Sequence, residues 1–233
     1  MKEPSLPRCI DILAHRANLA GPNPASENSL TATAMALAAG FGLETDLRRD
    51  SQGRFYIAHD RAAWSEANAL DRYVELFHSH PACSVAMNVK ELGYEDELIA
   101  LQCSGALGTA SFYFDFELLE PHSPGAAQRK LRALPNGAQT RLAARLSDRG
   151  ESLAQCLRIP AEIVWADEFD ALWLAVDYVQ AVHRAGRAFY VISPELHGFD
   201  PEARRRRWDD FRQWGIDGLC TDYALEAREF FAP

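Results

Sequence analysis

The chain has 233 residues, of which 48% are hydrophobic, 24% charged and 10% aromatic, proportions that fill a globular core and exclude a disordered, collagen-like or coiled-coil chain. Lys and Arg number 24 against 33 Asp and Glu, a net charge of −9. An acidic surface repels nucleic acid and anionic lipid, so an anionic substrate needs a local positive cluster or a bound cation.

Short apolar runs alternate with helical patterns along the whole chain. Residues 9–14 form the first strand-like run, and a helix is predicted over 27–39, opened by Ser26 as N-cap and closed by Gly40. Residues 42–47 and 54–58 are two strand-like pieces about a turn at 50–53. A helix at 72–78 stops before Pro81, followed by a strand at 84–89, a helix at 95–105 and a strand at 111–116. The alternating Phe112, Phe114 and Phe116 are expected to pack one strand face under the helices. A helix at 126–134 ends before Pro135, and a strand is placed at 139–143. Strands at 162–166, 188–192 and 218–221 follow, separated by helices at 171–185 and 201–214, which end at Gly186 and Gly215. The four arginines from Arg204 to Arg207 are expected on a solvated, ion-paired helix.

Roughly eight strand–helix units in about 230 residues match a single (β/α)8 barrel, here one α/β domain over residues 1–233. The strands are apolar on both faces, as a covered parallel sheet requires. The rival, an open doubly wound sheet, would normally show a glycine-rich turn after its first strand. That turn here is His15-Arg16-Ala17-Asn18.

No stretch approaches the roughly 20 apolar residues that span a bilayer. Residues 1–9 lack the apolar core of a signal peptide, so no membrane insertion is expected and the protein is read as cytoplasmic. The five scattered cysteines contain no CxxC pair, and neither a disulfide framework nor a zinc site is suggested.

In a barrel, polar residues at strand ends meet on one rim, where active sites are built. His15 and Arg16 follow the first strand, Glu44 and Asp46 end the second, His59 and Asp60 end the piece after it, and Asn88 and Lys90 end the next. Glu44 and Asp46 alternate on a strand and therefore point to one side. Two such like charges are costly unless a cation or proton shares them, and hard oxygen ligands suit Mg²⁺ or Ca²⁺. The alternative is a solvated strand end neutralised by Arg48 and Arg49. Two histidines can supply a general acid and a general base near neutral pH, and Arg16 and Lys90 can hold a phosphate. Together the set carries the parts for metal-assisted phosphodiester cleavage.

The segment from 13 to 60, with His15-Arg16, Glu27-Asn28-Ser29, Gly42, Glu44-x-Asp46, Asp50 and His59-Asp60, resembles the opening motif of the glycerophosphodiester phosphodiesterase family. The ending WGIDGLCTDY resembles that family's last strand. The family belongs to a wider group of phosphatidylinositol-phospholipase-C-like barrels. The resemblance implies hydrolysis of a small glycerophosphodiester with the help of a divalent cation. It implies His15 and His59 as the acid/base pair, Arg16 on the phosphate, Glu44 and Asp46 on the metal, and Glu27-Asn28 shaping the His15 loop. Lys90 is motif-like, and the glutamate usual two residues before it is Asn88, an amide ligand that brings no charge. Asp115 is the further residue that could complete the metal shell. The glycine usual after the His-Arg pair is Ala17, expected to narrow the space by the phosphate. Two other readings remain open: a metal-free cyclising lyase, and a barrel that binds a phosphorylated ligand without turnover.

Overall fold

A computed structural model describes residues 10–232. Residues 1–9, including the Cys9 expected to open the first strand and the segment read for a signal peptide, lie outside the described residues, as does Pro233. Eight parallel strands form one barrel: β1 (Asp11–His15), β2 (Gly42–Arg49), β4 (Val85–Val89), β5 (Phe112–Phe114), β6 (Ala143–Ser147), β7 (Ile163–Asp167), β8 (Ala188–Ile192) and β9 (Gly218–Thr221). The ring order is β5-β4-β2-β1-β9-β8-β7-β6, and a parallel bridge between Tyr113 and Leu142 closes it between β5 and β6. The extra strand β3 (Phe55–Ile57) pairs antiparallel with β2 beyond the barrel rim, with Arg48 opposite Tyr56.

Helices α1 (Leu30–Ala38), α2 (Leu70–Ser79), α3 (Glu95–Cys103), α4 (Phe116–Leu119), α5 (Ala126–Ala133), α6 (Leu153–Cys156), α7 (Val176–Arg184), α8 (Pro201–Trp214) and α9 (Ala224–Phe231) connect and cover the strands. No helix among the described residues is long and apolar enough to cross a membrane. An apolar layer lies between strands and helices, and a second fills the barrel itself. Within the barrel, Phe112, Phe114, Trp165 and Tyr190 form one aromatic cluster, with Phe114 and Trp165 centroids 4.3 Å apart. Gly218 makes room for it: a Cβ there would stand 2.2 Å from the Tyr190 ring.

The departures from expectation have local causes. Helix α1 begins at Leu30 with Ser29 as its cap, whose Oγ accepts from the Ala32 amide at 3.2 Å. Asn28, at φ 55°, cannot belong to a right-handed helix, so the helix cannot reach back to residue 27. The fifth barrel strand lies at Ala143–Ser147 rather than 139–143, because residues 137–139 close a tight 3₁₀ turn. Alanines have little strand preference, which hid its position. Phe112 and Phe114 face the barrel interior, while Asp115 at φ 69° reverses the chain and sends Phe116 to the outer core. The arginine run is only partly solvated. Arg204 pairs with Glu226 at 2.5 Å and lies over the Tyr223 ring at 3.9 Å, and Arg207 donates to Glu168 at 2.8 Å, both from buried positions.

Candidate active site

The barrel register delivers the candidate residues to one mouth. β1 pairs with β2 so that His15 stands opposite Glu44, and β2 pairs with β4 so that Asp46 stands opposite Asn88. β9 closes on the other side of β1, bringing Asp222, one residue past that strand, to His15. The Cys220 thiol is pushed well up, first by burial and then by the charges of Glu44, Asp222, Glu195 and Asp167.

His15 Nδ1 donates to Asp222 Oδ1 at 2.7 Å, leaving Nε2 turned to Glu44 Oε2 at 3.9 Å. Burial works against the imidazolium, but the Asp222 bond and the Glu44 charge outweigh it and raise the His15 pKa. Asp222 is itself held: Asn18 Nδ2 donates to its Oδ1 at 2.8 Å, and its backbone amide donates to Glu195 Oε1 at 3.2 Å. Glu195 also accepts from Thr221 Oγ1 at 2.5 Å and from Ser193, whose hydroxyl takes the Trp208 indole proton at 2.8 Å.

The carboxylates of β2 are buried and unequal. Asp46 meets Lys90 Nζ at 2.9 Å, Asn28 Nδ2 at 2.8 Å and Arg16 Nε at 3.5 Å. Burial alone would raise its pKa, yet the Lys90 ammonium, Arg16 and the amide hold it below the ordinary value. Among the described residues Glu44 makes no direct ion pair with a Lys or Arg side chain; burial first, and the Asp46 charge second, push it up to about 7. Arg48 and Arg49 do not neutralise this pair: they bind Glu91 at 2.6 Å and Glu97 at 2.7 Å.

The loop after β1 is fixed from several sides. Arg16 and Ala17 both have positive φ, at 48° and 66°, a costly turn for non-glycine residues. Arg16 reaches Glu27 at 3.1 Å, and Asn28 accepts from Thr45 Oγ1 at 2.8 Å and, through its carbonyl, from Tyr73 OH at 2.5 Å. Glu27 and Asn28 thus shape the His15 loop. The Ala17 side chain packs into the outer core.

Two expected members have other partners. His59 lies one residue beyond Ala58, whose amide donates to the Asp46 carbonyl at 3.1 Å. Its ring is 45% exposed and pairs with Asp60 at 3.0 Å. Asp115 is buried and bound by Arg145, which also donates to Asp167 at 2.5 Å. Among the described residues no group of three or more His, Cys, Asp or Glu is arranged to hold a metal. The oxygen donors present are the Glu44 and Asp46 carboxylates with the Asn88 amide beside them, a set whose chemistry fits a hard divalent cation bound with little net charge.

Sequence reasoning puts Arg145, Asp167, His197 and Asp222 at strand ends on the same rim but gives none of them a catalytic role, and it does not single out Asn18. The available signal for Asp222 was topological: closing the barrel makes the last strand a neighbour of the first.

Neither a protein-family model nor a curated protein sequence matches the chain. Solved structures do match its fold. A Galdieria sulphuraria protein, provisionally assigned as a glycerophosphodiester phosphodiesterase, superposes with a TM-score of 0.74 at 17% identity over 98% of this chain and 100% of its own. The glycerophosphodiester phosphodiesterase of Agrobacterium tumefaciens gives 0.66 at 20% identity over 93% and 98%. That of Thermotoga maritima gives 0.62 at 18% identity over 95% and 98%. The chain therefore shares the barrel fold of these proteins.

Proposed function

We propose that this protein is a phosphodiesterase that hydrolyses a glycerophosphodiester or a related small phosphodiester. The observation that carries the reading is the His15–Asp222 dyad at 2.7 Å, its outer nitrogen turned to a mouth that also holds Lys90 and Arg16. The fold shared with solved glycerophosphodiester phosphodiesterases supports it.

Asp222 fixes the orientation of the imidazole and stabilises the imidazolium, so His15 Nε2 can take or return a proton at the phosphorus-bound oxygens. Lys90 and Arg16 place positive charge where the phosphoryl oxygens gain negative charge. His59, on the exposed turn after β3, serves as the second acid/base group once substrate enters. The scissile P–O bond breaks, the alcohol oxygen takes a proton, and water supplies the oxygen that leaves a phosphomonoester. Glu44, Asp46 and the Asn88 carbonyl would hold a Mg²⁺ or Ca²⁺ ion, which supplies Lewis-acid charge stabilisation when bound.

One observation favours a second reading. Lys90 lies 2.9 Å from Asp46, so a protein cation already faces the carboxylate pair, as a metal-free cyclising enzyme would need. Assay of the purified protein on glycerophosphocholine, with added Mg²⁺ or Ca²⁺ and with chelator, separates the two. Cation-dependent phosphomonoester supports hydrolysis with metal, a cyclic phosphate formed in chelator supports the second reading, and no product from any small phosphodiester refutes both.

A further inference from the structure

β7 stands opposite β2 in the ring of eight, and the mouth beyond it carries a second His–Asp pair that the phosphate chemistry leaves unused. His197, on the 3₁₀ turn after β8, bonds through Nε2 to Asp167 Oδ1. Asp167 Oδ2 accepts from Arg145 Nη2 at 2.5 Å, and Arg145 Nη1 binds Asp115. The imidazole also lies 4.3 Å from the Phe169 ring. That ring is held in place: Asp148 caps its loop by accepting from the amides of Phe169 at 3.1 Å, Asp170 at 2.8 Å and Ala171 at 3.1 Å.

Asp115, Arg145 and Asp167 are nearly sealed from solvent, while His197 is half-buried. Among the described residues, Nδ1 of His197 has no hydrogen-bond partner, whereas both oxygens of Asp167 are taken. With Nε2–H donating to Asp167, the ring nitrogen left to accept a hydrogen bond is Nδ1. Both Asp167 oxygens are already taken, so a cationic group finds no free carboxylate oxygen there, and an anionic group has no proton to offer the Nδ1 lone pair. A hydroxyl donor fits what is left.

We infer that His197 is a specificity residue, its Nδ1 accepting a hydrogen bond from a hydroxyl of an uncharged, hydroxylated alcohol arm of the substrate. Arg145 and Asp167 act through it as positioning residues. This rests on the phosphodiesterase reading above and names the part of the substrate that the far side of the mouth meets.

The test compares glycerophosphocholine with bis(p-nitrophenyl) phosphate, which has no hydroxyl, in the unaltered protein, His197→Ala and His197→Gln. Glutamine keeps a donor for Asp167 but carries its acceptor, Oε1, on the same terminal amide and away from the Nδ1 position. Both variants are expected to lose roughly tenfold in kcat/KM on the hydroxylated diester, mostly through KM, with less than about twofold change on the aryl diester. Equal losses on both substrates, or a glutamine variant that behaves like the unaltered protein, would overturn the inference. If the unaltered protein cleaves no diester, the phosphodiesterase reading fails by itself. Calorimetric titration then still decides the subsite. His197→Gln should weaken glycerol phosphate about tenfold and leave inorganic phosphate unchanged; equal effects on the two ligands contradict it.

Discussion

Asp222 Oδ1 lies 2.7 Å from His15 Nδ1, across a sequence separation of 207 residues. The contact joins the ends of the first and last barrel strands, so barrel closure itself builds the dyad. Replacing Asp222 by Asn keeps the size of the side chain and removes the charge that orients and stabilises the imidazolium. The turnover number should fall by about a hundredfold or more, with a smaller change in KM, in steady-state assays on a glycerophosphodiester.

Asn88 lies opposite Asp46 in register, on the strand that also places Lys90. A carboxylate there would add charge to the donor set of Glu44 and Asp46. Asn88→Asp should tighten Mg²⁺ or Ca²⁺ by about tenfold or more in isothermal titration, because ligand charge sets affinity at oxygen sites. Unchanged affinity would separate Asn88 from cation binding.

Arg145 is buried between Asp115 and Asp167 and is their shared counter-charge. Arg145→Met leaves two buried carboxylates short of a partner. Breaking a buried pair in this way costs about 3–5 kcal/mol, so urea denaturation should show a loss of that size near neutral pH.

Glu117 gives a pH signature away from the site. Its Oε1 accepts from Gln128 Nε2 at 2.8 Å, while Glu117 Oε2 and Gln128 Oε1 are both buried without partners. A proton on Oε2 gives the carboxyl a donor for that second oxygen. Burial is the main cause that pushes its pKa from 4.5 up to about 7. Folded protein thus keeps a proton that the unfolded chain releases, and stability falls as pH rises through the interval from 4.5 to about 7. Glu117→Gln should gain on the order of 3 kcal/mol at about pH 8 and almost nothing at about pH 4, read from urea midpoints.

The barrel was legible because buried parallel strands are apolar on both faces and their punctuation is regular. β8, β9 and α8 lie where the pattern puts them. What stayed hidden depends on three-dimensional closure. β6 is rich in alanine and carries the buried Arg145, so its run looks weak until the two acids that neutralise the guanidinium are seen. His15, Glu44, Asp46 and Lys90 were readable from local spacing, because alternation on a strand fixes the side to which they point. The dyad to Asp222 and the Asp167–His197 pair were not, since each joins different strands. The arginine run is ion-paired as expected but only partly solvated, because charge pattern alone does not reveal that the buried Arg204 and Arg207 reach Glu226 and Glu168 on neighbouring elements.

The central claim is that His15 performs phosphodiester chemistry in this mouth. Phosphorus NMR of glycerophosphocholine incubated with purified protein and Mg²⁺ or Ca²⁺ tests it most directly, with folded His15→Ala protein in parallel. The account predicts that the diester resonance gives way to a phosphomonoester resonance with the unaltered protein and stays intact with the variant. Equal conversion by both proteins would contradict it.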